Sequence, residues 1–291
     1  MGNQDLIGDL YHIFYTCPDL SEAERWWCDV LGAHFYKELP YLDSEKRAAS
    51  FLRLAGETLE PMSVDEPADA QSLTPVQRFV SKFGFRWHSL AWFTGDMPEL
   101  YGRLEERGVR MFQPGGIPAA PDARAVFTHP RDTFVGLEFA PAGPDGKGGD
   151  AAAIAQADQP SPAGVRELAW VTVLPRDRRA AVKFYVDVLA GTIVEESADP
   201  WLGTSSTYVK VGPTVIEFAE VLDQRPALGD GAGYRDVVHS LTFRVDDLDR
   251  VRSELESHGS ALEADHAHLV TSPPSAPAAR VGFTTSQIGV P

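Results

Sequence analysis

The chain has 291 residues, a length that suggests about two domains, and its 43% hydrophobic and 23% charged residues support packed cores. Its formal net charge of −16 repels phosphate backbones, so nucleic acid is excluded as an expected partner. No apolar run approaches the roughly 18 residues of a membrane span. MGNQDLIGDL has no basic region followed by an apolar core, and Leu6 stands where a myristoylation pattern needs Ser or Thr, so a soluble, cytoplasmic chain with no membrane partner is expected.

The first element in chain order is the strand in LYHIFYT, which carries His12. SEAERWWCDVLG follows as an amphipathic helix, with Ser21 as N-cap, Glu24 at capping-box spacing and Gly32 at the left-handed C-terminal position. Cys17 and Cys28 lie here; they form one bridge at most and are read as reduced thiols. AHFYKEL, AASFLRLAG and TLEPMSV then read as strands. A second unit opens at WHSLAWF, with His88 on its first strand, and continues through the helix MPELYGRLEERG to the strands VRMFQ, ARAVFTH and FVGLEFA. Strict alternation puts Trp92 on the face of His88 and Trp87 on the other; it puts Phe14, not Tyr11, on the face of His12.

Residues 141–164 are rich in Gly, Ala and Pro and read as a linker. GPDGKGGD within them lacks the strand and helix of a phosphate loop. Beyond the linker the pattern repeats. Residues 168–191, LAWVTVLPRDRRAAVKFYVDVLAG, match residues 10–32, and residues 238–259, VHSLTFRVDDLDRVRSELESHG, match residues 87–108. The chain thus contains four units in the order A, B, A′, B′, each β-α-β-β-β. The expected class is α+β, with domains at 1–140 and 165–291.

His12 and His88 hold equivalent positions in units A and B, and so do Glu60 and Glu138. If the two units pair about a pseudo-twofold axis, these four residues converge. Imidazole nitrogen and carboxylate oxygen suit one divalent ion of Mn, Fe, Co, Ni or Zn, with positions left open for substrate. Glu57 could replace Glu60 after a register slip, although a slip of three residues reverses its face. In the second half only His239 and Glu217 hold ligand-type positions. Ala169 is read as the counterpart of His12, and the chain reaches Gly289-Val290-Pro291 just before the expected counterpart of Glu138. The second half is therefore read as a degenerate copy. His258, His266 and His268 read as solvated surface.

The repeated pattern resembles the vicinal oxygen chelate superfamily, which includes glyoxalase I, extradiol dioxygenases, fosfomycin-resistance proteins and methylmalonyl-CoA epimerase. The first half is most similar to the epimerase and glyoxalase I. TPVQRFVSKFGFRWHSLAW resembles the epimerase helix that leads into its second ligand strand, and RAVFTHPRDTFVGLEF its last hairpin. The sequence departs from the epimerase at Glu60, where Gln is common, and in having four modules rather than two. The resemblance implies two domains with cup-shaped sheets and one divalent ion on His12, Glu60, His88 and Glu138. It implies chelation of two oxygens of a small-molecule substrate, stabilisation of an enolate or oxyanion, and Glu60 or Glu138 as base. A metal-dependent isomerase, epimerase or lyase follows, and a homodimer is compatible with it. An extradiol-type dioxygenase using His12, His88 and Glu138 is the alternative; a metabolite-binding resistance-type protein is a third.

Overall fold

A computed structural model describes residues 6–67, 72–142, 161–200, 202–223, 233–260, 262–264, 268–271 and 280–288. Most of the 141–164 linker lies outside the described residues, as do His266 and the last three positions. Unit A contains β1 (Ile7–Thr16), α1 (Leu20–Leu31), β2 (His34–Glu38), β3 (Arg47–Leu54) and β4 (Glu57–Val64). Helix α2 (Pro75–Phe83) leads into unit B. That unit contains β5 (Trp87–Thr94), α3 (Met97–Glu106), β6 (Met111–Gln113), β7 (Ile117–Pro118), β8 (Val126–Thr128), α4 (Pro130–Thr133) and β9 (Gly136–Pro141). The second half repeats the plan. Unit A′ holds β10 (Val165–Leu174), α5 (Arg178–Asp187), β11 (Thr192–Asp199), β12 (Thr204–Val211) and β13 (Thr214–Val221). Unit B′ holds β14 (Val237–Val245), α6 (Leu248–Ser257), β15 (Leu262–Ala264), β16 (His268–Thr271) and β17 (Val281–Thr284).

The units pair as expected. One sheet runs β2-β3-β4-β1-β5-β9-β8-β6-β7, the other β11-β12-β13-β10-β14-β17-β16-β15. In each, the first strands of two modules lie antiparallel at the centre, β1 against β5 and β10 against β14. Helix α1 starts earlier than Ser21. Asp19 caps it, its carboxylate accepting the Glu22 N–H at 2.8 Å. Gly32 closes the helix at φ 73°, as its position suggested.

Strict alternation fails at two places on the central seam. Leu10 pairs with Trp92 and His12 with Ala91, so Tyr11 is an extra residue in β1. Phe14 pairs with Ser89 and Tyr15 with Trp87, so His88 is an extra residue in β5. Each irregularity moves the side-chain parity by one. Trp87 and Trp92 consequently both enter the main core, and Trp92 does not share the face of His88. Tyr11 comes to lie beside His12, with ring centroids 4.1 Å apart. The second half has the same interruptions at Ala169 and His239.

The main core joins the two halves through the sheet faces opposite the cups. Trp87 donates its indole N–H to the Arg280 carbonyl at 2.8 Å. Gly212 sits at φ 55°, where a Cβ would lie 2.7 Å from the Ile7 and Gly8 carbonyl oxygens; only glycine lets these backbones meet. Trp27, fully buried, packs 6.5 Å from Phe243 and donates to the Tyr15 hydroxyl at 2.6 Å. Replacing Trp27 by Ala opens a cavity and leaves that hydroxyl unpaired. A loss of about 4 kcal/mol is expected in urea unfolding.

Candidate metal centre

The four central strands of the first sheet carry the four residues singled out above. Glu60 lies on β4, His12 on β1, His88 on β5 and Glu138 on β9. Register explains which of them meet. His12 pairs with Ala91, and Ala91 with Glu138, so His12 and Glu138 flank a small residue on one row. Phe14 pairs with Glu60 on the next row. The Ala91 methyl leaves space above it, and His12 Nε2 stands 3.2 Å from Glu138 Oε2 across that gap. His12 Nδ1 faces Glu60 Oε2 at 3.6 Å. All three side chains are buried, with relative exposures of 4% for His12, 1% for Glu60 and 6% for Glu138.

Arg47 was not singled out from the sequence. It begins β3 and donates from one guanidinium nitrogen to Glu60 Oε1 at 2.7 Å, and from Nε to Glu45 at 2.6 Å. Alternation along β3 from Phe51, which packs 5.4 Å from the His12 ring, back through Ala49 to Arg47 is the signal that would have found it. Burial raises the Glu60 carboxyl above its ordinary value; His12 and Arg47 pull it down, and Glu138 pushes it up.

His88 does not touch the other three among the described contacts. Its Nδ1 lies 2.8 Å from the Ser89 hydroxyl, and the Phe79 ring of α2 lies 4.5 Å from it. Burial lowers its imidazole to about 4, helped by the Arg47 charge, so the ring is neutral at physiological pH. Among the described residues no group of three or more His, Cys, Asp or Glu side chains has metal-holding spacing. The local chemistry nevertheless fits a cation. Two buried carboxylates bracket one imidazole whose Nδ1 is buried and without a hydrogen bond. The 3.2 Å between His12 Nε2 and Glu138 is close to the separation of about 3 Å that two adjacent donors with bonds of ~2.1 Å require.

The family models agree with this architecture. Residues 11–127 and residues 167–278 each match a model of the glyoxalase/bleomycin resistance protein/dioxygenase superfamily. The chain belongs to that superfamily. No curated protein sequence matches it. Among solved structures, a mutant 4-hydroxymandelate synthase from Streptomyces coelicolor is similar in fold at 17% identity and TM-score 0.67, over 97% of this chain and 93% of that one. The Mn(II)-bound glyoxalase from Novosphingobium aromaticivorans is similar at 14% identity and TM-score 0.57, over 97% and 83%. Methylmalonyl-CoA epimerase from Mycobacterium tuberculosis matches at 25% identity and TM-score 0.40, over 50% of this chain and 95% of that one.

Within this superfamily fold, the second half corrects two expectations. Trp170, not Ala169, occupies the place of His12, because Trp170 pairs with Thr242 as His12 pairs with Ala91 and Ala169 is the extra residue. The last strand is present as β17, where Gly282 pairs with Thr242 and so holds the position of Glu138. His239 and Glu217 do occupy the equivalents of His88 and Glu60. Glu217 accepts hydrogen bonds from Thr172 and Ser206, both at 2.6 Å, and from Tyr208 at 3.2 Å. His258, at the end of α6, is paired with Glu254 at 3.4 Å. No helix among the described residues is long and apolar enough to cross a membrane.

Two outcomes test these electrostatics. Arg47→Ala leaves the Glu60 carboxylate buried without its partner, and a loss of about 3 kcal/mol is expected in urea unfolding at pH 8. Glu57 shares the parity of core residue Leu59 rather than that of Glu60. Burial pushes its carboxyl up to about 7, against Arg53 and with Asp9. Its folded value exceeds its unfolded one, so the ionised side chain progressively destabilises the fold as pH rises from the ordinary carboxylate range through about 7. The stability gained by Glu57→Gln should therefore be larger at pH 8 than at pH 5.

Proposed function

We propose that the first cup is a divalent-metal-dependent active site that moves a proton beside a carbonyl of a small, oxygen-chelating substrate, as an isomerase, epimerase or lyase. The observation that carries this reading is Glu60, a carboxylate buried in the cup, anchored by Arg47 at 2.7 Å and made more basic by burial. His12, His88 and Glu138 would hold one ion of Mn, Co, Ni, Zn or Fe, and Glu60 is the fourth residue of the set. Such an ion supplies a Lewis acid for the two chelating substrate oxygens and so stabilises negative charge that develops on them.

The remaining chemistry belongs to the side chains. Glu60 Oε1 is tied to Arg47, which leaves Oε2 to take a proton from the substrate carbon and return it to the other face or to a neighbouring atom. Oε2 also faces His12 Nδ1, the ring nitrogen turned away from Glu138. Carboxylates on opposite nitrogens of one imidazole do not share an ion bound through one of them. This favours Glu138 as inner ligand and Glu60 as base and ring-orienting partner. Glu138 is the second candidate base. Phe14, Phe51 and Tyr11, packed around His12, lower the polarity of the surroundings in which this transfer takes place.

A second reading rests on the same asymmetry. With Glu60 held by Arg47, two imidazoles and one carboxylate remain, a donor set that suits an Fe(II) dioxygenase. Oxygen consumption with catechols under Fe(II) would favour that reading over proton transfer.

The test begins with metal content. Wild-type protein should carry about one divalent ion per chain, and His12→Ala and His88→Ala should each lose it. Unchanged content in both variants would overturn the assignment. Glu60→Gln should retain the ion yet slow deuterium exchange from solvent into acyl-thioester or 2-oxo substrates by roughly 10²–10⁴-fold.

A further inference from the structure

The second cup has lost two of the four donor positions, to Trp170 and Gly282, but keeps a cavity. A space of about 250 Å³ is lined by Trp170, Tyr208, Glu195, Asp199, Arg280 and Gly282, among others. Gly282 keeps it open. It stands where the first cup has Glu138, and a Cβ there would already meet the Thr242 hydroxyl at 2.9 Å. Trp170, in the place of His12, meets Tyr208 edge to face with ring centroids 5.7 Å apart. Glu217 accepts from three hydroxyl donors, so its oxygens are already hydrogen-bonded within the protein.

The other acidic and basic side chains of this lining come from different strands. Glu195 and Asp199 belong to β11, at one edge of the sheet. Arg280, 5% exposed, immediately precedes β17 on the far side of the central strands β13, β10 and β14. The aromatic pair lies between, on β12 and β10. A guanidinium suits a carboxylate, acidic side chains suit an ammonium, and the rings between them suit an aromatic body. The cavity falls just below the ~300–1,000 Å³ usual for drug-sized ligands, which restricts the occupant to a small metabolite.

We propose that the second cup is a metal-independent binding site for an aromatic amino acid, its carboxylate toward Arg280 and its ammonium toward Glu195 and Asp199. This site is independent of the reaction assigned to the first cup.

Calorimetric titration of the full chain with L-phenylalanine tests it, alongside 3-phenylpropanoate, which lacks the ammonium, and phenethylamine, which lacks the carboxylate. Saturable one-to-one binding of L-phenylalanine is expected, with each analogue at least about tenfold weaker. Arg280→Met should weaken L-phenylalanine by at least about tenfold. Because Arg280 is buried, Glu195→Gln on the more accessible strand serves as a second variant. It should narrow the preference for L-phenylalanine over 3-phenylpropanoate. His12→Ala should leave binding unchanged. Absence of saturable binding to wild type overturns the proposal, and so does equal affinity for L-phenylalanine and 3-phenylpropanoate. Loss of binding in His12→Ala places the ligand in the first cup and overturns it as well.

Discussion

The antiparallel pairing of β1 with β5 is the constraint on which the first half depends. It joins two modules into one sheet and puts His12, Ala91 and Glu138 on a single row. Two extra residues within it, Tyr11 and His88, turn side chains that alternation would send elsewhere. The same seam sends Trp87 and Trp92 into the core that holds the second half in place. Packing of the halves and composition of the cup are therefore set by one strand pair. A register error there would expose the tryptophans and scatter the charged residues together.

Charge is the second constraint. Burying two carboxylates in one cup is costly unless cations compensate them. Arg47 is one such cation, and the imidazole of His12 lies between the carboxylates. The second cup solves the same problem differently. There Glu217 is surrounded by hydroxyls, Glu138 has been replaced by Gly282, and the position of Gly136 on the adjoining row falls to Arg280. One architecture thus supports a cup whose donors suit an added ion and a cup whose positive charge is built into the chain. The shared backbone fixes neither chemistry.

Repeats made the architecture legible in the sequence, because a seven-residue strand that carries His-Ser-Leu twice is visible without coordinates. The positions of His12, Glu60 and Glu138 on central strands were legible for the same reason. What alternation could not show was the pair of extra residues on each seam. An irregularity of one residue leaves no mark in a hydrophobic pattern, since Tyr11 and His88 are compatible with either face. That omission misplaced Trp92 and Tyr11. The absence of a Glu-like residue near the end of the chain hid β17, because glycine at position 282 preserves the strand while deleting the ligand. Arg47 escaped notice because arginine at a strand end is ordinarily solvated, and only the fold reveals the carboxylate it meets.

The two halves differ in what their sheets protect. In the first, aromatic rings at positions 14 and 51 pack on His12 and keep water from the carboxylates. In the second, Thr172 stands in place of Phe14, and it donates a hydrogen bond to Glu217 instead of covering it. Exchanging a ring for a hydroxyl gives the carboxylate a hydrogen-bond donor where the first cup has an apolar cover. The two cups thus differ in their polar lining, while the back of the second sheet, with Gly212 against Ile7 and Gly8, is packed against the first. That packing face is itself a reason for such a module to remain in the chain, because the indole N–H groups of Trp87 and Trp92 both meet acceptors in the second half, the Arg280 carbonyl and the Thr214 hydroxyl.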